Sequence, residues 1–250
     1  MKETFISRGI ILNRQEYGEN DLLVNVLSAD RGRMDVVAKG GKKMGSKLAP
    51  HLEPFTLTDV MVVKGKSRDY AGSAVGRSFY SGIKNDLTRV YYAGAAARIL
   101  WKHIQPEAED ACSYFRLFQE FLDLLEQEDS PELSIYEFFY VRFLGRFFHI
   151  YGIEPDISGC SQCGRTEFSG GAFFSPSLGG VVCNKCYPQN KGEFSGGSLT
   201  ISHDCITLLK LILASDDRGE AETGNEVLKD QTLIREASNI LHKFYLYHIR

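Results

Sequence analysis

The sequence predicts a multidomain chain, β then α. A five-stranded barrel occupies about residues 1–80. An all-α helical domain follows over 81–250, with a four-cysteine zinc finger or ribbon inserted at about 158–190. Three observations carry this reading. Apolar residues recur with period two as far as about residue 80, and with a period near 3.6 beyond it. Clusters of Gly, Asn and Asp punctuate the first part at strand-length intervals. Two C-x2-C knuckles interrupt the helical part. A length of 250 residues suits one or two domains, and 43% hydrophobic content is enough to build cores.

The first strand runs from Phe5 to Arg14 and centres on Gly9-Ile10-Ile11-Leu12. Tyr17-Gly18-Glu19-Asn20-Asp21 is a turn, and Leu22 to Leu27 a second strand. Asp30-Arg31-Gly32-Arg33 turns the chain into a third, Met34 to Ala38. After a Gly/Lys-rich stretch, Lys39 to Lys47, the chain alternates again from Phe55 to Val63. A turn at Gly65 leads to the fifth strand, Tyr70 to Val75. Five short strands so spaced fit an oligonucleotide-binding (OB) barrel, and the count alone also permits an SH3-like barrel.

Asp86 caps a helix running to about His103. Its apolar residues Leu87, Val90, Tyr91, Gly94, Ala97 and Trp101 form one face, and Ala95, Ala96 and Ile99 extend it, so burial on several sides is expected. A second helix, about 109–126, aligns Cys112, Phe115, Phe118, Leu122 and Leu125. Ser130-Pro131 begins a third, whose aromatic stripe (Ile135, Phe139, Phe143, Phe147) reads as core and whose stop is Gly152. Helices at about 203–214, capped by Ser202, and about 229–247 close the chain, with a charged loop at 215–225 between them.

Cys160-Ser-Gln-Cys163 and Cys183-Asn-Lys-Cys186 stand 19 residues apart, the spacing of a four-thiolate zinc site. Gly164 relaxes the first knuckle, and glycine pairs (Gly170-Gly171, Gly179-Gly180) around Ala-Phe-Phe-Ser favour a hairpin between the two. Four thiolates fill the shell of one ion, which favours a structural zinc over a catalytic one. The competing readings are a disulfide pair and a redox C-x-x-C. The start of the chain has no apolar export segment and no βαβ pattern flanks the knuckles, which weighs against both. Cys112 and Cys205 read as small buried hydrophobes.

The formal charge is −3, which by itself argues weakly against a nucleic-acid partner. It is unevenly distributed: +4 over residues 1–80, −6 over 81–159 and −1 over 160–250. Six cations (Arg31, Arg33, Lys39, Lys42, Lys43, Lys47) and one acid, Asp35, lie between residues 31 and 47. A local field of that sign acts over about 8–10 Å, whatever the total. Such a run is either a solvated loop or a phosphate-binding one. Gly40 to Lys47 resembles a phosphate-binding P-loop, but Ser46 precedes Lys47 where the motif needs Lys before Ser/Thr. Zinc-deaminase, zinc-protease and nucleophile-elbow motifs are absent, so no enzyme activity is expected. No 18-residue apolar run predicts a membrane span.

Several segments together resemble the bacterial DNA repair protein RecO family, the recombination mediators. They are Gly9-Ile10-Ile11-Leu12, Tyr17-Gly18-Glu19-Asn20-Asp21, Ala38-Lys39-Gly40-Gly41-Lys42-Lys43, Ser46-Lys47 and Leu52-Glu53-Pro54-Phe55. Arg142-Phe143-Leu144, Gly152-Ile153-Glu154-Pro155, the first knuckle with Gly164, and Gly179-Gly180 continue the match in order. The resemblance implies an OB barrel before a helical domain with a zinc finger. It implies a cytoplasmic, nucleoid-associated protein that binds single- and double-stranded DNA, anneals complementary strands and, with RecR, helps load RecA. Contact with the acidic C-terminal tail of single-stranded DNA-binding protein is implied too; such a tail needs an apolar pocket with a basic rim, for which the helical domain near Arg142 or Arg146 is the suggested place. On this reading Arg31, Arg33, Lys39, Lys42, Lys43 and Lys47 contact DNA, with Arg14, Lys64, Lys66 and Arg68 in second rank. The alternative is a zinc-ribbon interaction scaffold that does not touch DNA.

Overall fold

The computed structural model describes residues 3–130, 132–168, 171–188, 197–214 and 230–249. Pro131, Gly170, Lys229 and the 215–225 loop lie outside them. The chain forms two compact units, Met1–Asp129 and Ser130–Arg250.

The first unit is built on a closed barrel of β1 (Thr4–Tyr17), β2 (Asp21–Ser28), β3 (Gly32–Ala38), β4 (Leu57–Val63) and β5 (Asp69–Ser78). The order around it is β1-β2-β3-β5-β4, and β4 returns to β1. Neighbours are antiparallel except β3 and β5, which run parallel at Val36–Asp69 and Val37–Tyr70. This is the OB topology. β1 serves two sheet faces: its first half pairs with β4 and its second with β2. Gly9 sits at the bend, where a Cβ would lie 2.4 Å from Val26 Cγ1, so only glycine lets the strands cross this closely. Val24, Val26, Val36, Val60 and Val62 fill the interior, with Leu52 of the 3-10 turn Ala49–Leu52 among them. Burying side chains of this kind contributes ~1.5–3 kcal/mol each.

Alternation would leave the outer face of β2 and β3 wet. Yet Leu23, Leu27 and Val37 are buried there, because helices cover it. These are α2 (Leu87–His103) and α3 (Ala111–Gln127), with the short α1 (Ser81–Lys84) packed against both. Asp86 caps α2 as expected, its Oδ1 accepting from the Thr88 and Arg89 backbone N–H groups at 2.8 and 3.0 Å. The Glu126 carboxylate of α3 accepts from the N–H groups of Gly82 and Ile83 at 3.0 and 2.8 Å. Lys84 Nζ donates to Thr56 Oγ1 at 2.8 Å. The sequence period changes near residue 80, but the compact unit continues to Asp129 because these helices pack on the barrel.

Two expectations are corrected. The buried face of α2 is Ala93, Ala96, Ala97, Ile99 and Leu100, whereas Leu87, Tyr91 and Trp101 face outward. Small side chains let the helix lie close to its neighbours, so the alanines form the seam. Cys112 is exposed; Ala111, Phe115, Phe118, Leu122 and Leu125 form the buried stripe of α3, and Cys112 is turned about 100° from Ala111.

In the second unit α4 (Leu133–Tyr151) packs with α5 (His203–Ala214) and α6 (Gln231–His248). Phe143, Phe147 and Phe148 of α4 are buried, and Phe148 meets Phe244 of α6 edge-on at 5.1 Å. Gly152 ends α4, Ser202 Oγ caps α5 through the Cys205 N–H at 3.1 Å, and Cys205 is fully buried. A four-stranded sheet carries the knuckles: β6 (Asp156–Cys160), β8 (Gly180–Cys183), β7 (Ala172–Ser175) and β9 (Leu199–Ile201), in that order. The expected hairpin is β7–β8, paired from Ala172–Cys183 to Ser175–Gly180. Among the described residues no helix is long and apolar enough to cross a membrane.

Candidate nucleic-acid interface and metal centre

At one end of the barrel three loops converge. The β1–β2 turn carries Tyr17 at its edge, and the chain after β3 is pinned to that turn. Gly40 N–H donates to Asp21 Oδ1 at 2.7 Å, and Lys42 N–H donates to the Asn20 carbonyl at 2.9 Å. Further turn bonds, Lys43 N–H to Gly40 O and Ser46 N–H to Lys43 O, hold the lysine loop in shape. The β4–β5 loop arrives from the other side. Its Arg68 guanidinium lies over the Tyr17 ring at 5.4 Å, joining this loop to the β1–β2 turn. Lys39 Nζ lies over Tyr70 at 4.5 Å. Lys42 pairs with Glu16 at 3.0 Å. Lys43, Lys47 and Lys66 are exposed. In OB barrels the corresponding loops, first-to-second and fourth-to-fifth, flank the oligonucleotide face.

The remaining predicted cations stand elsewhere. Arg33 is the second residue of β3 and Lys39 follows its end, six residues or about 20 Å along a strand. Arg33 donates to the Trp101 carbonyl at 2.8 Å. Arg31 pairs with Glu107 at 3.2 Å and lies over the Phe5 ring at 4.1 Å. Lys64 approaches that ring at 5.4 Å and pairs with Asp69 at 3.0 Å. Arg14 pairs with Glu53 at 2.7 Å. Thus Lys39, Lys42, Lys43, Lys47, Lys66 and Arg68 all stand on the converging loops, while Arg31 and Arg33 tie the start of β3 to the last turn of α2 and the α2–α3 connection. Sequence reading missed Tyr17 and Tyr70. Their pairing with cations is through space, although Tyr17 opens a turn already singled out.

The second centre is the knuckle pair. Cys160 ends β6 and Cys183 ends β8, so the sheet places both, and each tight turn returns the second thiol of its knuckle. Gly164, at φ +70°, closes the first turn and donates to the Cys160 carbonyl at 2.8 Å. Cys186 N–H donates to the Cys183 carbonyl at 3.1 Å. The sulfurs of Cys160, Cys163, Cys183 and Cys186 all lie within 4.8 Å of one another. The Cys163–Cys183 sulfur separation is 3.9 Å. That is far beyond a disulfide's ~2.05 Å. It is close to the ~3.8 Å between corners of a tetrahedron with 2.3 Å metal–sulfur bonds. All six cysteines are free. Burial raises the Cys160 thiol, but N–H groups of Cys183, Cys163 and Gln162 outweigh it and hold its pKa at about 6. The donor set and spacing fit one four-coordinate ion.

Fold and site together define an OB-barrel protein with a basic, aromatic-faced loop end and four convergent cysteine thiols whose spacing fits one metal ion. Comparison with known proteins agrees throughout the chain. The family profile described as "Recombination protein O N terminal" matches residues 1–73, and "Recombination protein O C terminal" matches residues 84–250. The DNA repair protein RecO of Rubrobacter xylanophilus is 28% identical over 230 residues, covering 91% of this chain and 90% of that protein. That of Cutibacterium acnes is 28% identical over 250 residues, 98% and 94%. That of Acetivibrio thermocellus is 30% identical over 208 residues, 83% and 78%. The chain belongs to the recombination protein O family of DNA repair proteins.

Proposed function

We propose that the protein is a non-enzymatic DNA repair and recombination mediator. It binds single- and double-stranded DNA without sequence preference and anneals complementary strands. With RecR, it helps load RecA onto strands coated by single-stranded DNA-binding protein, whose acidic tail it contacts. The observation that carries this reading is the barrel-end cluster, with Lys39 over Tyr70 and Arg68 over Tyr17 among four further lysines. Phosphates meet the cations and bases stack on the rings, which is how strands are held without reading sequence. Annealing then needs no catalytic group, because neutralising two polyanions lowers the repulsion between them. The metal is zinc, one per chain, and its role is structural, since four thiolates leave no open position for water. The working compartment is the cytoplasm, at the nucleoid.

Changing Lys42, Lys43 and Lys47 together to Glu tests the site. Binding of a labelled oligonucleotide is strongly weakened and strand annealing is lost, while the circular dichroism and melting of the protein are unchanged. Undiminished binding by that variant at moderate salt refutes the assigned site, whereas no salt-dependent strand binding by the native protein favours a zinc-ribbon scaffold.

A further inference from the structure

Helix α2 turns its largest side chains to solvent. Leu87 is 90% exposed, Tyr91 69% and Trp101 38%. At 100° per residue, Leu87, Tyr91, Gly94, Arg98 and Trp101 fall on a stripe about 80° wide. Arg98 is exposed on that stripe and Lys102 at its edge. The 17 residues of α2 include no acid, although the 81–159 segment carries a net −6. Asp86, the cap, is engaged by two backbone N–H groups.

Gly94 is a second, independent observation. Glycine inside a helix costs about 0.5–1 kcal/mol relative to alanine. Here nothing lies within 4 Å of where its Cβ would be, so no packing constraint requires it. Its effect is a flat saddle between Tyr91 and Arg98, where a ligand can approach the helix backbone. The stripe also runs on from the barrel. Arg33, one of the cations that does not join the loop cluster, donates to the carbonyl of Trp101.

We propose that the exposed face of α2 is a second site for single-stranded nucleic acid. Bases stack on Tyr91 and Trp101, about 15 Å apart along the helix, and phosphates pair with Arg98 and Lys102. Two cations interleaved with aromatics, and no acid on the helix, match a polyanion with planar groups better than an apolar protein surface. The inference rests on the nucleic-acid reading of the barrel end and deepens it. One chain would hold two strands, one at the loop cluster and one on α2, as annealing requires.

Trp101 is the only tryptophan in the chain, so its emission reports this face alone. The full-length protein is titrated with labelled oligo-dT of about 12 nucleotides, within the range of strand-binding sites. Strand anisotropy reports binding anywhere, and tryptophan emission reports α2. Expected are quenching of Trp101 and a stoichiometry of two strands per chain. Gly94→Glu, which enters open space, removes the quenching and lowers the stoichiometry to one. Arg98→Gln with Lys102→Gln does the same by removing charge alone. In the Lys42/Lys43/Lys47→Glu variant the quenching persists. Anisotropy binding with unquenched Trp101, or quenching that survives Gly94→Glu, overturns the α2 site and leaves the barrel reading standing. No strand binding by either readout overturns both.

Discussion

Replacing Tyr17 and Tyr70 together with alanine separates stacking from charge at the barrel end. Each ring carries a cation over one face, Arg68 at 5.4 Å and Lys39 at 4.5 Å. At most one face of each ring is left for a base, so the low end of the usual 1–3 kcal/mol per stacked base applies. About 1 kcal/mol for each ring gives about 2 kcal/mol, or roughly 30-fold in Kd. Stacking releases no counterions. The loss should therefore be the same at every salt concentration, and the log–log salt slope should stay where six phosphate contacts put it, at about −4. Fluorescence anisotropy with an oligonucleotide across a salt series measures both quantities. Leucine replacements, which keep apolar bulk without a ring, control for stability, and melting curves verify the fold. A loss smaller than about threefold, or a slope that becomes shallower by one unit or more, would refute the reasoning.

The metal centre predicts one zinc per chain by elemental analysis. Chelation or Cys183→Ser should destabilise the Ser130–Arg250 unit more than the barrel, read as earlier loss of hydrogen-exchange protection in β6–β8. Burial, and then the charge of Lys102, push the His103 imidazolium below its ordinary pKa. The unfolded chain is therefore protonated first. The stability His103 supplies is present above about pH 6.5 and is lost as pH falls below it. Melting temperature should drop between about pH 7 and pH 5, and His103→Gln should reduce that drop. Asp86→Ala leaves two α2 N–H groups without their acceptor and should cost about 1 kcal/mol in urea unfolding, with Asp86→Ser recovering most of it.

Much of the architecture was legible because it follows from local rules. Period-two alternation and turn residues placed all five strands to within a few residues. The Asp86 and Ser202 caps marked helix starts, and knuckle spacing predicted which four sulfurs converge. What local rules do not encode is which surface an element meets. In α2 the sequence draws attention to its large apolar residues, yet close packing selects Ala93, Ala96 and Ala97 for burial. Cys112 failed for a related reason: one position along a helix is 100° of rotation, enough to carry a thiol from core to solvent. Periodicity likewise says that α3 has a buried face, but not that the barrel's β2 and β3 supply its partner. Among the site residues, charge density alone grouped Arg31 and Arg33 with the loop lysines. The structure separates them, because Glu107, Phe5 and the Trp101 carbonyl engage them from distant parts of the sequence. Tyr17 and Tyr70 became visible only once the β4–β5 loop was folded toward the β1–β2 turn.

The central claim is that strands bind at the barrel end by displacing counterions from six cations. The salt slope of single-strand binding, measured on the native protein and on Lys42→Gln/Lys43→Gln/Lys47→Gln, tests it most directly. At about 0.7 per contact the native slope should be about −4, and removing three contacts should bring it to about −2. At 0.1 M salt the variant should bind about 100-fold more weakly. Parallel lines for the two proteins, whatever their absolute affinities, would show that these lysines release no counterions and would contradict the account.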